Sequence, residues 1–132
     1  MAVAELNRDV VEGMPAEGAV VMVNLVKLRE RASDGEGSGW DAYQRYSRAV
    51  IGMIRERGGT ILWSGRAHGT SFGPQEGGDW DFVVLVEYPS KAAFLDMMSS
   101  EAYATMANPH RLAGVERHVI LAATEEYSKV RR

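Results

Sequence analysis

The chain has 132 residues, 45% of them hydrophobic and 25% charged, which fits a single globular domain. A formal net charge of -3 provides no positive surface for nucleic acid, and the lack of cysteine excludes disulfides, thiolate metal sites and cysteine nucleophiles. No apolar run approaches the roughly 20 residues that span a bilayer, and residues 1–15 lack a signal-peptide pattern, so we expect a cytoplasmic protein with no membrane partner.

The first predicted elements are a strand and a helix. Residues 19–28, AVVMVNLVKL, form an apolar, β-branched run of strand length. The charged, glycine-rich stretch 29–39 predicts a solvated loop. Ser38, followed by Asp41 three residues later, resembles a capping box and predicts the start of a helix with one apolar stripe. Gly58, in a Gly-Gly pair, predicts the end of that helix through a left-handed cap.

Two further strands are predicted from residues that alternate between two faces. Residues 60–68, TILWSGRAH, place Trp63 and Gly65 on the same face of a second strand. The stretch 69–79, rich in glycine, predicts a loop. Residues 80–88, WDFVVLVEY, then form a third strand with aromatic and β-branched residues.

The last part of the chain predicts two helical pieces and a fourth strand. One helix begins near Ser90, and a break near Ser99 starts a second piece. Asn108 and Pro109 predict the end of this piece, because a proline ring clashes with the preceding helical turn. Residues 115–123 predict the final strand.

The order of elements is therefore βαββαβ, which predicts an α+β, ferredoxin-like fold with a four-stranded antiparallel sheet and both helices on one face. The domain would fill residues 1–132, with a core of about 19–124 and flexible tails at both ends. The helix-free face would expose a large apolar surface in water. Two such sheets placed face to face cover it, so we expect a homodimer that forms a dimeric α/β barrel.

Several short motifs, in their order and spacing, resemble a bacterial family known only as domain of unknown function 1330. These motifs are Met22 to Leu28, Tyr43 to Tyr46, Leu62 to Gly65, Trp80-Asp81, Glu87 to Ser90, Tyr103 and His110-Arg111. The resemblance covers about 20–124 and implies a dimeric α/β-barrel fold. The stretch 29–39 departs from the family as a long insertion that would lengthen a pocket rim.

The wider superfamily implied by this resemblance includes cofactor-free monooxygenases of aromatic polyketides, polyketide cyclases, lactone isomerases and haem-degrading monooxygenases. Many of them bind a flat ligand between the sheet and the helices of one subunit. By analogy of fold, a cleft on the helix side of the sheet is the place to look for a site.

Three residues are predicted to shape such a cleft from the sheet. Asn24 interrupts an apolar strand, and a buried amide needs either a structural hydrogen bond or a ligand. Trp63 beside Gly65 predicts an indole next to a gap without a side chain. This pair provides either ordinary large–small packing or a slot for a planar ring.

His110 and Arg111 form the candidate acid–base pair, since they follow Pro109 at the predicted end of a helix. Imidazole suits proton transfer near neutral pH, and a guanidinium can hold a carboxylate or an enolate-like oxygen. The alternative is that His110 caps helix carbonyls and Arg111 makes a surface salt bridge.

Tyr46, Tyr88 and Tyr103 are candidate ligand-binding residues that would add a phenol to the pocket, or else core and rim aromatics. On the opposite face of the sheet, charges of both signs would meet at a dimer interface and help specify the dimer, with an Arg66–Glu87 pair, His68 near the wetter end of the barrel, and His118 on one parity of the fourth strand.

The leading functional hypothesis is a cofactor-independent isomerase, cyclase or monooxygenase acting on a small cyclic or aromatic carbonyl compound. His110 would be the acid or base, and Asn24 and Arg111 would polarise an oxygen. The alternatives are a non-catalytic dimeric module that binds a small molecule, and haem binding, which superfamily kinship and Asn24 suggest. The chain has no nucleotide-binding loop and no close histidine spacing, so we expect no cofactor and no metal.

Overall fold

The structure, a computed structural model, describes residues 5–130. In chain order, its elements are helix α1 (Arg8–Glu12), strand β1 (Val20–Leu28), helix α2 (Gly39–Glu56), strands β2 (Thr60–Arg66) and β3 (Phe82–Tyr88), helix α3 (Lys91–Met98), a π-helical turn (Tyr103–Ala107), helix α4 (Asn108–Gly114) and strand β4 (Val115–Ala123). Within this part of the chain, no helix is long and apolar enough to cross a membrane.

The four strands form one antiparallel sheet in the order β2-β3-β1-β4. This order and the alternation of helices and strands confirm the predicted ferredoxin-like βαββαβ fold. The helices cover one face, where alternate residues of β1, including Met22 and Val26, are buried. Phe94 and Met98 of α3 pack into the same core from the helical layer. The residues between them on β1, such as Val23, point to the uncovered face and are only half-buried.

Helix α2 begins and ends where the sequence predicts. The Ser38 hydroxyl accepts a hydrogen bond from the Asp41 amide, and the Asp41 carboxylate accepts one from the Ser38 amide, which completes the capping box. Gly58 has a φ of 77°, a left-handed conformation that a residue with a Cβ adopts only with strain.

A β-bulge in β2 changes which face each residue of that strand occupies. Ile61 pairs with Val86, but Trp63 pairs with Leu85, so two steps along β2 match only one step along β3. The extra residue inverts the alternation beyond it. Trp63 and Gly65 therefore lie on the helix-free face, and their expected position in a cleft beside the helices is wrong.

The same bulge separates Arg66 from Glu87. Arg66 pairs with Phe82 on the helix side, and its guanidinium lies 5.6 Å from the centre of the Phe82 ring. Glu87 pairs with Val21, which points to the helix-free face. The expected Arg66–Glu87 pair is therefore wrong, because the two side chains point to opposite faces.

The helical segment after Ser100 does not stop at Asn108 and Pro109, contrary to the prediction. The Asn108 amide bonds to the Tyr103 carbonyl five residues earlier, which widens the helix into a π turn, and α4 continues to Gly114. Pro109 thus falls in the first turn of a new α-helix, where a missing N–H is tolerated. His110 and Arg111 consequently lie inside a helix, and their predicted position past a helix end is wrong.

Helix α1 is an element that the sequence did not reveal. Val11 is buried against the core, and the Lys91 ammonium donates hydrogen bonds to the carbonyls of Glu12 and Met14. These contacts hold the end of α1 beside the start of α3. Residues 5–14 therefore cover part of the helix side of the sheet.

Candidate functional site

Two adjacent cavities lie on the helix side of the sheet. The aromatic cavity, of about 260 Å³, lies between the sheet and α2, and the rings of Trp40, Tyr43, Tyr46, Phe82 and Tyr88 form much of its wall. The N-terminal cavity, of about 220 Å³, lies beneath residues 5–11 and contains Glu5, Tyr103 and Arg111. Five side chains line both cavities: Met22, Phe94, Met98, His118 and Ile120.

The aromatic cavity presents flat ring surfaces to its interior. Tyr43 of α2 and Phe82 of β3 stack nearly parallel, with an angle of 5° and 6.1 Å between ring centres. Trp40 lies 5.2 Å from Phe82 at the outer end. Burial raises the pKa of Tyr43 to about 12, so its phenol stays neutral and acts as a hydrogen-bond donor. This wall suits a planar, largely apolar compound.

A wider cavity of about 550 Å³ adjoins the aromatic cavity, because Trp40 and Phe82 line both. Its rim includes Arg29, Glu30 and Ser38, which belong to the stretch 29–39 or border it. The predicted contribution of that insertion to a pocket rim agrees with this geometry.

Asn24 lies at the centre of the sheet, with its amide facing the aromatic cavity. Its Nδ2 donates to the carbonyl oxygens of Met22 and Val84, at 3.2 and 3.3 Å. Its Oδ1 lies 2.9 Å from Nε2 of His118. Because two carbonyls require the NH2 group, the orientation of the amide is fixed and Oδ1 must accept from His118. The structural hydrogen bond that the sequence left open is therefore present.

His118 of β4 lies on the helix side, opposite Val26 and beside both cavities, and not near Arg66 and Glu87 at a dimer surface. Burial and, secondly, the charge of Arg111 lower the pKa of His118 to about 4. The imidazole is thus neutral at pH 7. Its Nε2 carries the proton given to Asn24, and its Nδ1 is the acceptor that lies 3.4 Å from Nη1 of Arg111.

Arg111 is the one charged residue that is buried among residues 5–130, with 7% of its surface exposed. Its Nε donates to Oδ1 of Asn108 at 2.8 Å, and its Nη2 donates to Oε1 of Glu5 at 3.0 Å. With the contact to His118, all three guanidinium nitrogens face a partner. A chain of polar contacts thus runs from Asn24 through His118 and Arg111 to Glu5.

The three candidate tyrosines lie around the same space. The hydroxyls of Tyr46 and Tyr103 are 2.9 Å apart, and this contact joins the wall of the aromatic cavity to that of the N-terminal cavity. The Tyr88 hydroxyl donates to the sulfur of Met97 at 3.9 Å. Burial raises the pKa of all three phenols, so none of them is a phenolate at neutral pH.

The structure does not bring His110 to Asn24. The His110 ring, on α4, accepts a hydrogen bond from Nε of Arg45 at 3.2 Å. Arg45 in turn pairs with Asp34 at 2.7 Å. Within residues 5–130, His110 lines neither the aromatic nor the N-terminal cavity.

Trp63 and Gly65 contact each other on the helix-free face. A Cβ added at Gly65 would lie 2.4 Å from the Trp63 ring, so the indole itself covers the gap left by glycine. Neither residue lines the aromatic or the N-terminal cavity among the described residues. Instead they lie on the helix-free surface of the sheet, which a second subunit would cover in the expected dimer.

Among the residues of the site that sequence reasoning missed are Glu5, Trp40, Tyr43, Phe82 and His118. One signal was available for His118, since it has the same strand parity as Ile120 and Ala122 and so shares their face. Phe82 likewise shares the parity of Val84 and Val86. Glu5 had no such signal, because its partner is 106 residues away in the chain.

The fold and these cavities define a ferredoxin-like α+β domain with a partly polar cleft between its sheet and its helices. The family model described as a domain of unknown function, DUF1330, matches residues 39–124. The chain therefore belongs to the DUF1330 family, and the resemblance found in the sequence is confirmed. The matched region begins after β1 and so leaves out the string from Met22 to Leu28. No curated protein matches the chain.

Solved structures agree with this fold. A Rhodopseudomonas palustris protein of unknown function is 32% identical, with a TM-score of 0.82 over 97% of this chain and 100% of that chain. A DABB family protein with a ferredoxin-like fold from Mesorhizobium loti is 14% identical, with a TM-score of 0.56 over 83% of this chain and 98% of that chain. A dimeric ferredoxin-like protein of unknown function from Bacteroides fragilis is 13% identical, with a TM-score of 0.52 over 82% of this chain and 97% of that chain.

Proposed function

We propose that this protein binds a small, planar, uncharged ring compound, such as an aromatic or cyclic carbonyl compound, in the aromatic cavity. The observation that carries the proposal is the parallel pair formed by Tyr43 and Phe82, extended by Trp40, beside a space of about 260 Å³. These rings contact one another directly, and together they form an aromatic wall against which a flat ligand can pack. Ser64 of β2 and Tyr43 both line this cavity, and their neutral hydroxyl groups can donate hydrogen bonds to a carbonyl oxygen.

The second candidate is a cofactor-independent isomerase, cyclase or monooxygenase acting on the same compound. Arg111 supports it, because a cation in the N-terminal cavity, which shares His118 and Ile120 with the aromatic cavity, would stabilise an enolate-like oxygen. In this version Arg111 keeps the polarising role that the sequence gave to it and to Asn24, and His110 has no role. The catalytic candidate predicts that the protein converts the compound to a product, whereas the binding candidate predicts no conversion.

We also propose that the protein is a homodimer. Trp63, Leu85, Val23 and Leu121 pair in one row across all four strands on the helix-free face. Trp63 and Leu121 are each more than half exposed. An apolar row of this kind favours coverage by a second sheet.

The binding proposal is tested with coumarin, an uncharged bicyclic carbonyl compound. Calorimetric titration should give saturable binding to the wild-type protein. Ser47 of α2 lines the aromatic cavity, so a Ser47→Phe variant should fill the space and abolish binding while circular dichroism stays unchanged.

The matched control is Trp63→Ala, which removes an aromatic ring from the other face of the same sheet. It should bind coumarin as well as the wild type does. Unchanged binding by Ser47→Phe, or loss of binding in Trp63→Ala, would contradict the proposed site. Chromatography of coumarin, a lactone, and of a set of cyclic ketones after incubation with the protein tests the catalytic version, which fails if no compound in the set is converted.

A further inference from the structure

Arg111 is a buried cation whose one anionic partner among residues 5–130 is Glu5. The other two contacts of the guanidinium, with Asn108 and His118, are neutral groups of α4 and β4. A buried cation is strongly destabilising without a negative partner. The site at Nη2 of Arg111 therefore needs a carboxylate, and among residues 5–130 it is Glu5, outside the core of the fold, that supplies one.

Glu5 is a partner that can be exchanged without unfolding the domain. Its side chain is 56% exposed, although the Arg111 side chain is only 9% exposed. The segment that carries Glu5 is anchored at its other end, where Val11 is buried and Lys91 bonds to two carbonyls. Movement of residues 5–7 would thus open the guanidinium to the N-terminal cavity while α1 stays in place.

The N-terminal cavity leads from Arg111 towards the aromatic cavity. His118 and Ile120 line both spaces, and apolar side chains of α3, Phe94 and Met98, form the wall on the other side. A ring held by the aromatic wall would direct a substituent past these residues to Arg111. The arrangement combines an apolar path with a single buried cation at its end.

We propose that Arg111 binds the carboxylate of an aromatic or cyclic acid, and that Glu5 competes for this position as an internal carboxylate. This inference rests on the proposed binding of a ring in the aromatic cavity and extends the ligands from uncharged rings to rings that carry one carboxylate. Glu5 acts as a strap that releases when a ligand carboxylate takes its place on Nη2 of Arg111.

The test compares coumarin with coumarin-3-carboxylate, which share a ring system and differ by one carboxylate. A Glu5→Gln variant removes the competing charge, so the acid should bind roughly fivefold more tightly than it binds wild type. Coumarin, which has no carboxylate, should bind equally well to both proteins. Calorimetry gives the four dissociation constants.

Glu12→Gln is the matched control, since Glu12 lies on the same segment but pairs with Arg8 at the surface. It should change neither affinity. A gain of less than about twofold for the acid in Glu5→Gln, or an equal gain for coumarin, overturns the competition. Arg111→Gln should weaken the acid and spare coumarin, and an unchanged affinity for the acid in a folded variant overturns the role of Arg111.

The two proposals fail separately in this experiment. If coumarin does not bind wild type but the acid binds and tightens in Glu5→Gln, the uncharged ligand proposed above is wrong and the carboxylate site stands. If coumarin binds and the acid shows no response to Glu5→Gln, the carboxylate site is wrong and the aromatic cavity stands. If neither compound binds any variant, both proposals are wrong.

Discussion

The two faces of the sheet differ in the polarity of the side chains that they carry. On the helix side, Asn24 and His118 bond to each other across neighbouring strands and connect to Arg111. On the helix-free side, the same strands present Val23 and Leu121 in an apolar row. Burial of polar groups inside a core costs free energy, so they are retained there when they have a role. Exposure of an apolar row to water also costs free energy, and a second subunit would remove that cost. The first face thus has the character of a ligand site, and the second that of a surface for another subunit.

The largest effect is expected on the helix-free face. Leu121→Lys places a charge in the apolar row at its β4 end, at a position that is already 54% exposed in the single chain. We expect sedimentation to change from twice the chain mass of 14.5 kDa to a monomer, with little loss of secondary structure.

Met106→Lys is the control for this change, because Met106 is 62% exposed on the helical layer and outside the sheet. It should remain dimeric. Wild-type protein that sediments as a monomer at micromolar concentration would break the comparison, since the apolar face would then need no partner.

The helix side should respond to pH through His118. Its pKa is about 4 in the folded protein and near 6.5 when the chain unfolds. As pH falls from 6.5 to 4, the unfolded chain binds a proton that the folded protein excludes, so the free energy of unfolding decreases. The loss amounts to at most about 3 kcal/mol, since each pKa unit corresponds to about 1.4 kcal/mol.

The groups that face His118 separate its titration from others. Arg111 keeps its charge throughout this range, and the pKa of Glu5 lies below its ordinary value of 4.5, first through a backbone hydrogen bond of its own residue and also through Arg111. Urea unfolding of His118→Gln should therefore show a flatter pH dependence between 6.5 and 4. The exposed His68→Gln should keep the wild-type slope, and equal slopes for wild type and His118→Gln would contradict the buried neutral imidazole.

The smallest effect on the protein is expected from a substitution at Gly65. Simple alternation along β2 places this residue on the helix side, whereas the structure places it on the helix-free face. A Gly65→Ala methyl group would push the flexible Trp63 ring outwards, since the closest atom is the far end of the indole. We expect a red shift in tryptophan fluorescence, a change in stability below about 1 kcal/mol, and unaltered coumarin affinity. Gly52→Ala, with open space around it on α2, should not shift the fluorescence. Weaker coumarin binding by Gly65→Ala would contradict the position of Trp63 on the helix-free face and indicate that it lies beside the cleft.

Local patterns predicted most of the fold. The capping box at Ser38, the left-handed Gly58 and the apolar run of β1 depend on neighbours in sequence, and each element formed where these signals stand. The order of the strands followed from the βαββαβ pattern together with the resemblance to a known family.

The misplaced residues share a physical cause, which is a single extra residue in a regular element. The bulge between Ile61 and Trp63 depends on pairing with β3, so it leaves no trace in the alternation of β2. The π turn before Pro109 depends on packing of Tyr103 in the core. The polar network was unpredictable for another reason, because its hydrogen bonds join residues that are distant in sequence.

The π turn also sets a length constraint on the chain. Residues eight apart in a regular α-helix differ by about 80° around the axis, and those seven apart by about 20°. The extra residue of the turn lets Tyr103 and Arg111 face one cavity despite a spacing of eight. Conversion of the π turn to a regular α-helix with every residue retained would place Arg111 about 80° away from Tyr103, whereas deletion of one residue within Tyr103–Ala107 would reduce the spacing to seven and keep the two within about 20°. A single deletion in this segment is therefore expected to preserve the alignment of Tyr103 and Arg111, whereas an insertion adds a further residue that a second irregular turn must absorb.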